Sequence, residues 1–380
     1  MKVVIAPDKF KGCLSAPEVA RAMAAGVRSA DASVVIDEIP VADGGEGTVE
    51  ALVTATRGRF ETRRVVGPLP DMKVDATFGI LGDNQTAVVE MSAASGLALL
   101  APEDHDPMRT TTFGTGQLLL GAAKLGVNHI ILGIGGSATT DGGIGCAQAC
   151  GQPVILDGVG PADMHEPLIG EDLRRVVLIK HARGSLLDRV QITVACDVTN
   201  PLFGPNGAAA IFGPQKGATQ GQIAELDALL QRLAERCGKL ADANAPGAGA
   251  AGGLGFAMLA FFGATLRGGF DIVGDAVRLR DRLRGADLCI TGEGRLDASS
   301  LGGKACIGVA RVCRELNVPC VAIAGQMMDN GAIDADGSLA ARYAIVDRAR
   351  SLQDAMERAG ELLAETSADV AKQFLRSERG

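Results

Sequence analysis

The sequence predicts an α/β protein with a parallel sheet, in which one domain is interrupted along the chain and a second domain is mixed α/β. Three observations carry this prediction. Apolar strand signals followed by polar glycine turns and helix-forming stretches recur near both ends of the chain, an order typical of βαβ units. Residues 60–91 carry strand signals without an intervening helix, which indicates an antiparallel insert. A chain of 380 residues is also long for a single core.

The strands and helices follow from apolar runs, capping signals and helix breakers. Strands are predicted at residues 2–6, 34–36, 60–66, 73–80, 86–91, 129–132, 190–196, 287–291 and 318–324. Helices are predicted at residues 15–30, 48–58, 110–126, 144–149, 221–237, 254–266, 304–316 and 351–375. Ser15 and Glu18 form a capping box that opens the first helix.

The domain boundaries follow from where the strand–loop–helix order is interrupted. We expect residues 1–57, 120–200 and 285–380 to form the parallel-sheet domain. Residues 58–119 and 201–284 are expected to form the second, mixed α/β domain. The first domain would therefore be assembled from three separate pieces of the chain.

Composition and charge exclude several classes of function. Aromatic residues make up 3% of the chain, with no Trp and one Tyr, too few for the stacking surfaces that bind single-stranded nucleic acid. A net charge of −8 at pH 7 disfavours nucleic-acid and membrane partners. Nine Cys without a Cys-x-x-Cys pair indicate reduced thiols, and no run reaches the roughly 18 apolar residues of a membrane span. We expect a cytoplasmic protein.

The segment from Gly133 to Gly143 predicts an anion-binding turn between a strand and a helix. Backbone N–H groups converge on an anion at such a turn, and its glycines allow a ligand to approach closely. The alternative is a tight turn in which Asp141 caps the following helix. The candidate phosphate-binding residues are Gly135, Gly136, Ser137, Thr139, Thr140 and Gly142.

Polar loops follow five of the predicted strands. They contain Asp8, Lys9 and Lys11; Asp43 and Glu46; Ser137, Thr139 and Asp141; Asp197 and Asn200; and Glu293, Arg295 and Asp297. In an open parallel sheet the ligand binds at the carboxyl ends of the strands. Carboxylates, cations and glycine turns at one edge suit a phosphoryl donor with Mg²⁺. A carboxylate would take the acceptor proton, and four His without an obvious Ser or Cys partner disfavour a hydrolytic triad.

Each of these candidates also has a structural alternative. The aspartates that follow strands, Asp8, Asp43 and Asp197, could be caps or Asx turns. Glu293 could simply pair with Arg295.

Other signals are weaker. Lys216 and Lys304 lie in glycine-rich loops, and Gly302–Lys304 lacks the upstream glycine and the Ser/Thr of a Walker A motif. The spacing Gly133-x-Gly135-x-x-Ala138 fits a dinucleotide fingerprint only loosely.

Seven segments, taken together, resemble the bacterial glycerate kinase type-1 family. They are residues 6–12, 41–48, 133–143, 195–202, 212–217, 246–253 and 290–297. The matches occur in the family's order and span nearly the whole chain. The resemblance implies ATP-dependent phosphorylation of D-glycerate, generally at the 2-hydroxyl. It also implies a flavodoxin-like domain joined to a second α/β domain, with the active site in the cleft between them.

The chain departs from the family pattern at a few positions. Lys9 and Cys13 stand where the family often has Ser, Thr140 replaces a frequent Asn, and Gln326 replaces a common Ser. The segment after Cys150 is shorter than in relatives. These departures concern fine substrate preference rather than the reaction class.

With this resemblance, the candidate residues receive roles as hypotheses. The Gly133–Gly143 turn would bind the ATP phosphates, and Mg²⁺ would be held by Asp43, Glu46 or Asp141. Residues assigned to glycerate are Asp8, Lys11, Arg295 and Asn200, among which Lys11 and Arg295 would hold its carboxylate. Asp197 is the first choice for deprotonating the 2-hydroxyl and Asp297 the second, and Glu293 completes the catalytic candidates.

Two other functions remain open at this point. One is a nucleotide-dependent oxidoreductase of a small hydroxy acid, and the other is a non-catalytic protein that binds small anions. The expected partner is a small molecule, D-glycerate for the kinase, and not nucleic acid or membrane. A homodimer or a monomer is expected.

Overall fold

The computed structural model describes residues 1–182, 184–302, 305–328 and 331–376. Lys304, one of the weaker candidates, lies outside the described residues. No helix within these ranges is both long enough and apolar enough to cross a membrane.

The strands of the described residues occur in the positions predicted and in several others. In chain order they are β1 (Lys2–Pro7), β2 (Val35–Glu38), β3 (Arg59–Val66), β4 (Lys73–Ile80), β5 (Thr86–Glu90), β6 (His129–Gly133), β7 (Val154–Leu156), β8 (Gly160–Pro161), β9 (Val176–Ile179), β10 (Gln191–Ala195), β11 (Thr265–Arg267), β12 (Leu288–Gly292), β13 (Arg295–Leu296), β14 (Cys320–Ala324), β15 (Gln326–Met327) and β16 (Ala341–Ala344).

The α-helices fill the segments between the strands. They are α1 (Ala16–Ala30), α2 (Thr48–Thr56), α3 (Ser92–Ser95), α4 (Phe113–Ala123), α5 (Ile144–Ala149), α6 (Ala208–Phe212), α7 (Gln220–Arg236), α8 (Leu240–Ala243), α9 (Ala250–Phe262), α10 (Gly269–Ala276), α11 (Leu279–Leu283), α12 (Ala305–Glu315), α13 (Gly331–Asp336), α14 (Leu352–Glu357) and α15 (Ala359–Arg376). At the start of α1 the Ser15 N–H donates to Glu18 Oε2 at 2.8 Å, as the capping box predicts.

The chain divides into two compact units. The first consists of Met1–Asp43, Glu50–Arg57 and Gly269–Gly380. The second consists of Gly44–Val49 and Gly58–Gly268.

The first unit is built on a five-stranded parallel sheet in the order β16–β14–β12–β1–β2. Counted along the chain, this is the order 2-1-3-4-5 of flavodoxin-like folds. Helices α1 and α15 pack on one face, where Ile5, Met23 and Ile290 are buried. Helix α12 packs on the other face, with Ile307 against Ala322. The predicted fold class is confirmed.

The second unit is built on a six-stranded mixed sheet in the order β11–β10–β6–β5–β4–β3. The strands from β11 to β5 are parallel, whereas β4 and β3 are antiparallel to their neighbours. The antiparallel insert predicted from the sequence is therefore present. Its core includes Phe78, Leu118 and Ile130. A separate three-stranded sheet, in the order β8–β7–β9, was not predicted.

The structure divides the chain differently from the predicted boundaries. Residues 120–200 were expected to join the first sheet, but β6 and β10 lie in the second. The reason is that β5, the last strand of the insert, pairs in parallel with β6. Strand–loop–helix order predicts that a strand has a parallel partner, but it does not identify that partner. Likewise, α10 and α11 belong to the first unit, which resumes at Gly269.

Candidate active site

A cluster of carboxylates lies at the carboxyl ends of β1 and β12 in the first unit. These strands flank the point where the strand order reverses, which is where ligands bind in doubly wound sheets. Pro7 pairs with Gly292, and the Asp8 backbone N–H donates to the Gly292 carbonyl at 2.8 Å. Asp8 and Glu293 therefore leave neighbouring strands at the same level. Asp43, which follows β2, is the third carboxylate of this cluster.

The surroundings of Asp8 disfavour its charged form. Burial raises the pKa of Asp8 to about 7, and the carboxylates of Asp43 and Glu293 add to the rise. The Lys9 N–H donates to Asp8 Oδ1 at 2.6 Å, and this bond and the Lys9 charge only partly oppose the shift. Carboxylates placed together in this way are typical of functional sites that bind a cation.

The loop after β12 also carries a cation next to the cluster. Arg295 Nε lies 2.9 Å from Asp297 Oδ2, a different pairing from the Glu293–Arg295 pair that the sequence suggested. The Arg295 side chain is 60% exposed. A Cβ at Gly294 would lie 3.2 Å from the Lys11 backbone N, so the exposed Lys11 is on an adjoining loop. Two accessible cations thus accompany the carboxylates.

The Gly133–Gly143 turn follows β6 in the second unit and contacts the turn that precedes α2. A Cβ at Gly133 would lie only 2.8 Å from the Gly44 carbonyl oxygen, so this approach requires glycine. Gly135 and Gly136 are exposed, and Ser137 beside them is 8% exposed. The part of the turn that a ligand can reach therefore consists mainly of the backbone of Gly135 and Gly136.

Asp141 lies on the buried side of the turn. Its Oδ2 accepts hydrogen bonds from the Thr112 N–H at 2.9 Å, the Thr112 hydroxyl at 2.7 Å and the Gly145 N–H at 3.3 Å. Its Oδ1 accepts from the Gly143 N–H at 3.0 Å. Burial raises the pKa of Asp141, while these hydrogen bonds act in the opposite direction. The N-cap of α5 is Gly143, so Asp141 is not the capping residue itself. Its hydrogen bonds from the Gly143 and Gly145 N–H groups nevertheless hold the start of this helix, and its role as a metal ligand stays a prediction.

Lys216, a weaker candidate in the sequence, lies behind the same turn. It is 1% exposed, and its Nζ donates to the Thr139 carbonyl at 2.5 Å. Burial lowers the pKa of Lys216 to about 7, against the effect of the Asp141 charge. The Thr139 and Thr140 hydroxyls are buried and have no hydrogen-bond partner among the residues described. The turn therefore has a buried cation and two unused hydroxyls on its inner side.

A left-handed stretch at the start of α9 packs against this inner side. Ala251, Gly252 and Gly253 have φ values of 53°, 66° and 96°. A Cβ at Gly252 would lie 2.0 Å from the Thr139 carbonyl oxygen, and the Gly252 carbonyl accepts the Gly142 N–H at 2.9 Å. A left-handed alanine costs on the order of 1 kcal/mol, so the surrounding packing must hold Ala251 in this conformation.

The remaining candidates lie in the second unit. Asp197 follows β10 and is exposed, as is Glu46 in the turn before α2. Asn200 Nδ2 donates to the Asn206 carbonyl at 2.8 Å, and the Asn200 carbonyl accepts the Gly249 N–H at 2.9 Å. Asn200 thus holds its own loop together.

The candidates therefore fall into two groups. The first unit contains Asp8, Lys11, Asp43, Glu293, Arg295 and Asp297. The second unit contains Glu46, Gly135, Gly136, Ser137, Thr139, Thr140, Asp141, Gly142, Asp197 and Asn200.

Comparison with known proteins identifies the family. The sequence model of the Glycerate kinase family matches residues 3–375. The chain belongs to the glycerate kinase family. The resemblance drawn from the seven sequence segments is therefore confirmed.

Named relatives of this family match the chain from end to end. The glycerate kinase of Haemophilus influenzae is 44% identical over 377 residues, which cover 98% of each chain. The glycerate 2-kinase of Escherichia coli is 44% identical over 378 residues, covering 98% of this chain and 97% of that protein. A crystal structure reported as a candidate glycerate kinase 2 from Salmonella typhimurium LT2 covers both chains fully, with a TM-score of 0.87 and 43% identity.

Proposed function

We propose that this protein is an ATP-dependent glycerate kinase, which transfers the γ-phosphoryl group of ATP to the 2-hydroxyl of D-glycerate and releases ADP. The observation that carries this proposal is the 44% identity to the Escherichia coli glycerate 2-kinase over 98% of this chain. The two groups of candidate residues have the chemistry that such a transfer requires. One is rich in carboxylates and cations, and the other presents exposed glycine backbone beside hydroxyl groups.

The carboxylate cluster of the first unit fits Mg²⁺. Carboxylate oxygens are the ligands that Mg²⁺ prefers. Burial and, after it, repulsion by Asp43 and Glu293 raise the pKa of Asp8, and a divalent cation would relieve this repulsion. We assign Asp8, Asp43 and Glu293 to the metal. Glu46, which is exposed in the second unit, stays a candidate metal ligand. When bound, Mg²⁺ would neutralise charge on the transferred phosphoryl group.

The Gly133–Gly143 turn is proposed to hold the ATP phosphates. The backbone of Gly135 and Gly136 is exposed, and Ser137 adds a hydroxyl. Thr139 and Thr140 carry buried hydroxyls without a partner among the described residues, and a buried polar group left without a hydrogen bond costs about 1–3 kcal/mol. A phosphate oxygen that reached them would remove this cost.

The acceptor is proposed to bind through its carboxylate. Arg295 and Lys11 are accessible cations beside the carboxylate cluster. A guanidinium can bind a carboxylate through two parallel hydrogen bonds. To do so, Arg295 would exchange its pairing with Asp297 for the substrate. Asp197 is proposed to orient the 2-hydroxyl and accept its proton, with Asp297 as the second candidate.

The chemical requirements of this reaction are positioning and charge neutralisation rather than covalent catalysis. The hydroxyl oxygen attacks phosphorus, the bond to the β-phosphate oxygen breaks, and the hydroxyl proton passes to the carboxylate base. Exclusion of water from the reacting groups would suppress wasteful ATP hydrolysis.

The proposed activity is tested by assaying the purified protein with D-glycerate. We expect ADP release, followed in a coupled assay, to depend on D-glycerate, and the phosphorus NMR spectrum of the product to show an ester at the 2-hydroxyl. A change in NAD(P)H absorbance without ADP would support an oxidoreductase. Binding of D-glycerate without turnover would support a non-catalytic anion-binding protein. An ester at the 3-hydroxyl would support the kinase activity but would show that the proposed position of phosphorylation is wrong.

The role of Asp197 is tested by Asp197→Asn. Loss of a general base lowers kcat by roughly 10²–10⁴-fold, while KM for D-glycerate should change little because the amide keeps the size of the side chain. Near-normal turnover of this variant would remove Asp197 from the mechanism and leave Asp297, tested by Asp297→Asn, as the base.

A further inference from the structure

Three cysteines of the first unit meet beneath α12, away from the carboxylate cluster. Cys289 is on β12 and Cys320 is its paired neighbour on β14, while Cys313 is on α12. Their three Sγ atoms all lie within 4.8 Å of one another. All three residues are buried, with exposures of 0% for Cys289 and Cys313 and 1% for Cys320.

The alternation of side chains between the two faces of the sheet explains why the three thiols lie close together. Leu288 and Ile290 flank Cys289 and point into the core beneath α1 and α15. Side chains alternate between the faces of a sheet, so Cys289 faces the opposite side, towards α12. Ala322, two residues after Cys320, lies in the cluster that includes Ile307 of α12. The thiols of Cys289 and Cys320 therefore lie on the same face of the sheet, and α12 contributes the third thiol, that of Cys313.

The donor set is unusual because it consists of sulfur alone. Within the described residues, no imidazole or carboxylate completes this group. Sulfur ligands at about 2.3 Å around one tetrahedral ion lie roughly 3.8 Å apart, which is within the range that the three Sγ atoms already span. Thiolates are soft donors and select soft ions.

Charge decides which soft ion suits a buried site. Three thiolates around a monovalent ion would leave two negative charges in the core, and around a divalent ion they would leave one. Burying a net charge is unfavourable. Three thiolates around a trivalent ion give a neutral complex with three bonds and no need for a fourth ligand.

We propose that Cys289, Cys313 and Cys320 form a three-thiol binding site for trivalent thiophilic ions of the arsenite class. Binding is a ligand exchange in which arsenous acid, As(OH)₃, reacts with three thiols. Three As–O and three S–H bonds break, three As–S and three O–H bonds form, and three water molecules leave. Arsenic remains trivalent and no oxidant or reductant is consumed. This site does not depend on the proposed kinase activity.

The experiment uses the full chain, kept reduced with a phosphine and incubated with sodium arsenite. We expect native mass spectrometry to show one arsenic per chain with the loss of three protons, and arsenic X-ray absorption to show three sulfur neighbours. A ligand that binds the folded state raises the melting temperature, so arsenite should raise the melting temperature of this protein.

Because the thiols are buried, the chain is also refolded from denaturant with arsenite present, so that arsenite can reach the thiols before the core forms.

Single substitutions separate this site from other thiols. Cys313→Ser should remove the three-sulfur coordination and weaken arsenite binding by roughly 100-fold or more, since even indirect partners of a metal site contribute about 10–100-fold. Cys237→Ser, a half-buried cysteine elsewhere, is the matched control and should bind as the wild type does. Cys146→Ser breaks the other close thiol pair, Cys146 with Cys150, and should also leave binding intact.

Several results would overturn the proposal. They are the absence of arsenic from both the native and the refolded chain, coordination by only two sulfurs, and loss of binding in Cys146→Ser. If Cys313→Ser fails to fold, Cys320→Ser and Cys289→Ser are measured in its place, and retention of three-sulfur coordination by either variant would equally contradict the assignment.

Discussion

Asp8 in the first unit is half-buried and Asp141 in the second is fully buried. Both lie in loops that follow strands, but they have different hydrogen-bond partners and charged neighbours. Asp141 accepts hydrogen bonds from Thr112, Gly143 and Gly145, and both of its oxygens are used. Asp8 accepts a hydrogen bond from the Lys9 N–H and faces two other carboxylates. Burial raises the pKa of both side chains. A raised pKa alone therefore does not distinguish a structural carboxylate from a functional one.

The number and kind of partners make the distinction. Donors that surround a carboxylate stabilise its charge within the fold, so Asp141 serves the structure of the turn. Burial and, after it, the neighbouring carboxylates disfavour the charged form of Asp8, so the fold is destabilised in a way that a bound cation can relieve. The comparison predicts that substitutions at the two positions have opposite effects on stability.

The largest effect is expected for Asp8→Asn. We expect kcat/KM for D-glycerate to fall by roughly 10²–10³-fold, as when a group that stabilises developing charge is removed. Stability should increase, because the native state raises the pKa of Asp8 to about 7 and therefore disfavours the carboxylate. The stability that this group contributes is present at acid pH and is lost as the pH rises through 7. At pH 8 without metal, the variant should be more stable by about 2–4 kcal/mol.

Chemical denaturation at pH 4.5 and pH 8, with and without Mg²⁺, checks this prediction. The gain in stability should shrink towards acid pH, and Mg²⁺ should raise the stability of the wild type more than that of Asp8→Asn. Asp369→Asn, which removes an exposed carboxylate paired with Arg348, is the control and should change stability by less than about 1 kcal/mol. A destabilised Asp8→Asn at pH 8 would mean that Asp8 is as well satisfied as Asp141.

A change of pH dependence is expected for Lys216→Met. The native state lowers the pKa of Lys216 to about 7 from the usual 10.5, so between these values the unfolded chain binds a proton that the native chain lacks. Wild-type stability therefore gains from this group as the pH rises from 7 to 10. Relative to Lys216→Met, the gain should be on the order of 4 kcal/mol. Parallel denaturation curves for the two proteins across this window would show that Lys216 stays charged.

Asp141→Asn is expected to destabilise the protein by about 3 kcal/mol. The amide can present its oxygen to only one side, so its NH₂ group must face either the Gly143 N–H or the donors of Thr112 and Gly145. Buried donors would then lack an acceptor. The measurement is chemical denaturation at pH 7, where Asp8→Asn should shift stability in the opposite direction. Equal signs for the two variants would break the comparison.

Much of the fold was predictable because its elements are local. The apolar run after Met1, the Ser15–Glu18 capping box and the 73–80 strand occur where the pattern placed them. The partner of β6 was not predictable in the same way, because its pairing with β5 follows from how the insert folds back. The long helix predicted at 351–375 is two helices, α14 and α15.

Some residues of the candidate site could be predicted from their local sequence, whereas the roles of others depend on partners that lie far away along the chain. The carboxylates after strands were found because strand ends can be read in sequence. Lys216 is a weak candidate in the sequence because its partner, the Thr139 carbonyl, is 77 residues away, and no local pattern predicts a buried lysine there. The sequence signal that points to Lys216 is its place in residues 212–217, one of the segments that resemble the family. The hydrogen bonds of Asp141 depend in the same way on a residue that is not a local neighbour, because Thr112 lies 29 residues earlier in the chain.

The smallest effect is expected for Thr140→Val, which asks whether the unused hydroxyls of the turn serve a ligand. Valine has nearly the shape of threonine, and the Thr140 hydroxyl is buried without a partner among the described residues. If the hydroxyl binds no ligand, valine should leave KM for ATP unchanged and stabilise the fold by up to about 1 kcal/mol. If it bonds a phosphate oxygen, KM for ATP should rise by roughly 10-fold or more, since a hydrogen bond to a charged group contributes about 1.5 kcal/mol or more. We expect the rise in KM together with unchanged or greater stability, a combination that a loss of packing would not produce. Steady-state kinetics with ATP varied, alongside thermal unfolding of the same samples, separates these outcomes.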